Sequence, residues 1–275
     1  MDPSLPEFAA EVKLPEPEID LGRAALLIAR AEYPDLDLRR YLLRLDELAQ
    51  GARSREWEGS PLKRLHRLRR FLFEEQGFRG NAEEYYDPRN SFLNDVLDRR
   101  VGLPITLCLV VMEVGRRLAL SVDGIGLPGH FVVGFEAGHE FLFLDPFHGG
   151  AILTPESCET VVSRALGHSV TLDASHFAPV TKVQLLTRML HNLKTVYFKR
   201  EEWAKALGAL DRLRVLDPEA PGEGRDRGVV LAKLGKLPAA IAHWEHYLRQ
   251  HPEALDAESV RGHLRQVRQA LAVLN

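Results

Sequence analysis

The 275-residue sequence predicts an α+β protein, helical toward both ends with a small antiparallel sheet between. Three observations point there. Apolar residues recur at helical spacing through the first third. A central stretch holds three short β-branched and aromatic runs bounded by Gly and Pro. The last third repeats itself at a fixed offset of 34 residues.

Taken in order, residues 1–18 read as a flexible lead-in, because Pro3, Pro6, Pro15 and Pro17 remove backbone donors that a helix or central strand needs. Residues 19–180 follow as a core domain and 181–275 as a repeat region. In the core, Leu21, Ala24, Leu26, Leu27 and Ala31 mark a helix that ends at Tyr33-Pro34. Residues 36–49 and 61–75 repeat the pattern, the latter with Leu62, Leu65, Leu68, Phe71 and Leu72 on one face. Residues 77–90 are rich in Gly, Asn, Asp and Pro and read as a loop, with Asn90 or Ser91 capping a short helix. Gly102-Leu103-Pro104 opens the next helix, since proline is tolerated in a first turn. The runs IGLPGHFVVGF, GHEFLFLDPF and GGAILTP supply the three strands.

In the repeat region Trp203, Ala206, Leu207, Leu210, Leu213 and Pro218 recur 34 residues later as Leu237, Ala240, Ile241, Trp244, Tyr247 and Pro252. That is the period of tetratricopeptide repeats, in which a small residue lets paired helices approach. Two repeats, 188–218 and 222–252, are followed by a capping helix at 257–274. Tyr197, Phe198, Trp203, Trp244 and Tyr247 fall at helical spacing and serve packing between helices.

Composition narrows the classes of function. Hydrophobic residues make up 45% and charged residues 27%, the profile of a globular chain. Net charge is −3, so nucleic acid is not an expected partner: neutralising phosphates takes basic side chains in excess of local carboxylates. Cys108 and Cys158 make no disulfide framework and show no zinc spacing, which fits a reducing cytoplasm. The start lacks the regions of a secretion signal, and no apolar run approaches the ~18 residues of a membrane span, so no membrane partner is expected.

The candidate chemistry lies between Tyr85 and Gly150. Cys108 falls on a helix, His130 on a strand after Pro128-Gly129, and Asp145 at the end of the following strand, the order of a papain-like or transglutaminase-like thiol site. The 15 residues between His130 and Asp145 suit a hairpin that brings both to one sheet edge. The nucleophile is the weak member. Cys108 lies amid Leu107, Val111, Met112, Val114 and Leu118, whereas a reactive thiolate is favoured at a helix N-terminus. One turn earlier on the same face stands Pro104.

These residues carry a family resemblance. YYDPRNSFLNDVLDRRVGLPITLCLVVMEVGRRLAL, GIGLPGHFVVGF and FLDPFHGG together resemble the SirB1 family over roughly residues 20–255. The resemblance implies a transglutaminase-like core followed by tetratricopeptide-like helices, with a related core in a eukaryotic F-box protein. Laying Arg100 to Pro104 on the Arg-x-Gly-x-Cys signature of active transglutaminase-like enzymes puts Pro104 at the nucleophile position, while His130 and Asp145 match the family's His and Asp. It implies a cleft with two members of a triad and a missing third, and with it a protein without catalysis that binds a protein or peptide through the cleft or the repeats. The rival is a thiol hydrolase or acyltransferase using Cys108, His130 and Asp145.

Asn90, Asn94, Arg99, Arg100 and His148 are candidates for binding residues, with helix capping or a solvated face as their structural roles. Asp145 before Pro146 also suits a turn. His130, His139, His148 and Asp145 could group around a metal, yet no pair has HxH or HExxH spacing, and no metal or cofactor is expected. Gly102, Gly124, Gly126 and Gly129 lack the partners of a phosphate loop, and GIGLPG is assigned to a tight turn.

Overall fold

The computed structural model describes residues 3–53, 57–137 and 140–274. They form two compact units, one of Ala10–Met189 and one of Met1–Ala9 with Leu190–Asn275.

The proline-rich lead-in is helical, against expectation: α1 spans Leu5–Val12. Its prolines lie before the helix, in its first turn or after its end, where no intrahelical N–H is lost. Phe8 explains why the segment orders. The ring is fully buried with the Arg212 guanidinium 5.9 Å from its centroid, and Arg212 Nη2 donates to Ser4 Oγ at 2.6 Å.

In the larger unit, α2 (Leu21–Ala29) is capped by Asp20, which accepts from the Arg23 amide at 2.9 Å, and its residues are almost all buried. Next come α3 (Leu38–Arg53) and α4 (Pro61–Arg69), the latter continued by one wider turn over Arg70–Glu75. A parallel pair, β1 (Arg79–Gly80) and β2 (Val101–Gly102), brackets α5 (Leu93–Arg99). Neither Asn90 nor Ser91 caps α5: Phe92 holds that place with no side-chain bond. The helix α6 (Pro104–Arg117) is buried nearly all round, between α2, α3 and α5 on one side and the sheet on the other. Its polar residues Thr106 and Glu113 are therefore inside, while Arg116 reaches solvent. Glu113 is buried and paired with Arg117 at 2.6 Å and Arg116 at 3.2 Å.

The sheet has four antiparallel strands rather than three, in the order β3 (Asp123–Ile125), β4 (Val132–Ala137), β5 (Glu140–Asp145) and β6 (Ala151–Leu153). The run expected as one strand divides because the His130 amide donates to Leu127 O at 3.2 Å, closing the expected tight turn. Gly129 holds φ +67° there, and a Cβ would meet Leu166 at 2.9 Å, so only glycine fits without strain. Then α7 (Pro155–Leu166) follows β6 directly.

The chain continues through α8 (Lys182–Lys199), α9 (Trp203–Leu216), α10 (Pro221–Lys233), α11 (Leu237–Gln250) and α12 (Ala257–Leu274). The 34-residue offset is visible in the packing. Ala206 and Ala240 are both fully buried, and Trp244 donates from Nε1 to Arg225 O at 3.1 Å.

Candidate functional site

Four segments of the larger unit converge on one cleft of about 700 Å³. The first is the turn that delivers His130 to the start of β4. Arg188 of α8 fastens it, donating from Nη2 to Leu127 O at 2.8 Å and to His130 O at 2.6 Å, with its guanidinium 5.4 Å from the Phe131 ring centroid. The His130 side chain is 5% exposed.

The second is the end of β5. Asp145 is fully buried and pairs in register with Ala151 of β6. Its Oδ1 accepts from the backbone amides of Phe147 at 3.0 Å and His148 at 3.3 Å, so the turn expected at this Asp-Pro is present. Its Oδ2 lies 2.9 Å from His130 Nε2 and 2.7 Å from His148 Nδ1. Burial by itself would raise this carboxyl, but the bonds and charges of His130 and then His148 outweigh it and hold Asp145 below the usual carboxylate range. An ionised carboxylate only accepts, so both imidazoles donate to the same oxygen. His130 Nδ1 has no hydrogen-bond partner among the described residues.

The third segment is the N-terminus of α6, where Pro104 lines the cleft together with His130 and Asp145. The fourth is the loop before α5, which presents Tyr85 and Tyr86. Asn90 shapes it from inside: its Nδ2 donates to Glu84 O at 2.7 Å and Tyr85 O at 3.3 Å, and its Oδ1 accepts from Asn81 Nδ2 at 3.1 Å. Asn90 O also accepts from the Leu103 amide at 3.1 Å, tying the loop to the residue before Pro104. Phe147, Leu153 and the α7 residues Val161, Arg164 and Ala165 complete the walls.

The other candidate residues stand elsewhere. Cys108 is fully buried and off the cleft wall, and its thiol donates to Phe131 O at 3.4 Å. Burial, reinforced by the Asp145 charge, pushes this thiol well above its ordinary value, and Arg188 offsets that only in part. Asn94 is buried in α5, Arg99 faces Asp87 at 3.5 Å, and Arg100 ends α5 at φ +60° with its carbonyl accepting from the Arg79 amide. None of these three lines the cleft, and Asn90 acts on it only through the tyrosine loop. His148 does line it, and His139 lies outside the described residues.

Sequence reasoning missed Tyr85, Tyr86, Phe147, Arg164 and Arg188. Two adjacent tyrosines in a Gly- and Asn-rich loop were a usable signal, since loop aromatics have no core to fill. Arg188 gave none, because its partners lie about sixty residues away in sequence.

The comparisons with known proteins match this architecture. A model of the transglutaminase-like superfamily fits residues 39–191, and a tetratricopeptide-repeat model fits residues 193–265. A UPF0162 protein of Xylella fastidiosa strain 9a5c is 38% identical over 265 residues, 94% of each chain. A UPF0162 protein of Vibrio cholerae is 27% identical over 248 residues, covering 88% of this chain and 90% of the relative. Mouse F-box only protein 21 is 31% identical over 130 residues, 44% of this chain and 20% of its own. Tetratricopeptide repeats are protein-interaction scaffolds. No helix among the described residues is long and apolar enough to cross a membrane.

Proposed function

The chain belongs to the transglutaminase-like superfamily, in the line of the UPF0162 proteins, and from that premise we propose that it is a non-catalytic binding module whose cleft takes a peptide segment. Pro104 carries the reading. It occupies the helix N-terminus where the dipole and free backbone amides would activate a thiol, beside His130 and Asp145, and it offers no atom to deprotonate. Cys108 does not replace it, because a thiol raised by burial and bonded to a carbonyl is a packing group. The alternative, acyl transfer or hydrolysis by Cys108, His130 and Asp145, needs that sulfur to leave the interior.

The walls suit a peptide. They combine tyrosine and aliphatic surface with a few placed polar groups, and Ala151 and Leu153 belong to β6, an edge strand of the sheet. The cytoplasm suits two buried free thiols. Peptides selected by display on the full chain test the proposal. Tyr86→Ala, at an exposed ring on the cleft, is expected to weaken their binding at least about tenfold with the fold intact, consistent with aromatic anchors dominating such interfaces. A stoichiometric acyl-enzyme burst from an activated thioester, abolished by Cys108→Ala, would contradict it.

A further inference from the structure

We propose that His130, Asp145 and His148 form a binding site for a divalent first-row metal ion of the zinc class at the polar end of the cleft. Their ligand atoms lie within 4.8 Å of one another. Two features of the geometry point beyond a remnant thiol site.

First, such a site uses one imidazole and one carboxylate, and here there is a second imidazole. His148 is 56% exposed and could turn to water, yet its Nδ1 points back onto Asp145 Oδ2 at 2.7 Å. Second, with Pro104 opposite, neither imidazole has a nucleophile's proton to accept. What the two rings share is one anionic oxygen.

That is a ligand set. Neutral imidazole nitrogens with a carboxylate oxygen suit zinc and its neighbours, and three protein ligands leave a position open, here toward the cleft. Zinc–ligand distances of about 2.0–2.2 Å place the donor atoms of a tetrahedral site roughly 3.3 Å apart. The observed separations of 2.9 and 2.7 Å to Oδ2 open slightly, and the two imidazole nitrogens, within 4.8 Å of each other, draw together by rotation of the exposed His148 ring, for the ion to take the place of the two shared protons. The carboxylate is already oriented for this. Its Oδ1 is held by the Phe147 and His148 amides, the kind of outer bond that aims a ligating group. The open position would take water or an oxygen of whatever occupies the cleft. Spacing in sequence conceals the set, because the turn that Asp145 itself builds brings His148 round.

The inference rests on the proposed binding role only in treating Pro104 as unreactive. Its test is metal binding by the full chain, stripped with chelator, dialysed, and titrated with Zn²⁺ against a chromophoric chelator. One ion per chain with micromolar or tighter affinity is expected, and Co²⁺ should give the strong visible absorption of a four-coordinate site. His148→Ala takes away one of the two imidazoles on the buried Asp145 carboxylate, so the thermal midpoint of the metal-free protein should fall modestly while its circular dichroism spectrum stays that of the folded chain. It should weaken Zn²⁺ binding by more than about a hundredfold, since even outer partners of metal sites are worth roughly 10- to 100-fold. His168→Ala, at an exposed histidine elsewhere, should change nothing. Absence of stoichiometric binding, or equal affinity in His148→Ala, would overturn the site. Peptide binding by the metal-free protein is a separate readout, so failure of one proposal is distinguishable from failure of the other.

Discussion

Pro104 and Cys108 stand one turn apart on α6, and each has what the other lacks. Pro104 has the location, at the helix N-terminus on the wall shared with His130 and Asp145. Cys108 has the sulfur, inside the core with its thiol on a backbone carbonyl. The difference teaches that thiol chemistry is a property of position. A helix N-terminus depresses a thiol's pKa and an apolar interior raises it, so moving the sulfur by one turn separates a nucleophile from a packing group.

The largest effect that could break this comparison is in reactivity. Iodoacetamide should label Cys108 in the native chain at least about a thousandfold more slowly than in urea, because access requires opening that costs several kcal/mol. Equal rates would place the sulfur outside the core. Next comes the carboxylate. Asp145→Ala strips the acceptor from His130 and from two backbone amides, and urea unfolding should show a loss of about 3 kcal/mol. The sign of the pH dependence follows from the direction of its shift. With its folded pKa below the unfolded value near 4, Asp145 contributes stability above that value, lost as pH falls through the folded one. Asp145→Ala should therefore flatten that part of the acid limb, and an unchanged limb would argue against the bonded carboxylate. The smallest effects sharpen the contrast itself. Cys108→Ala should cost about 1–2 kcal/mol through lost packing, against less than about 1 kcal/mol for Pro104→Ala, which acts mainly by loosening the unfolded chain.

What was legible in the sequence was local. Proline at the start of α6, the apolar setting of Cys108 and the 34-residue recurrence of buried Ala206 and Ala240 all follow from spacing and propensity. What was not legible depends on tertiary partners. Helix α1 orders because Phe8 packs under Arg212, more than two hundred residues away. The burial of Glu113 had no signal in the sequence, because it depends on Arg116 and Arg117 neutralising the carboxylate in the interior. Asn90 reads as a helix cap, and only the folded loop turns its amide onto Glu84 and Tyr85. At the site, His130 and Asp145 were readable from their order on two strands. His148 was readable only as a candidate binding residue, because its bond to Asp145 comes from the turn that Asp145 closes.

The most direct test restores a thiol where the helix begins. P104C, made together with Cys108→Ala and studied without metal, should be alkylated by iodoacetamide near pH 6 on the order of tenfold faster than an exposed model thiol whose pKa is about 8.5, and His130→Ala should remove most of the advantage. A thiol at that position reacting no faster than the model, or indifferent to His130, would show that Pro104 does not stand at the nucleophile's place.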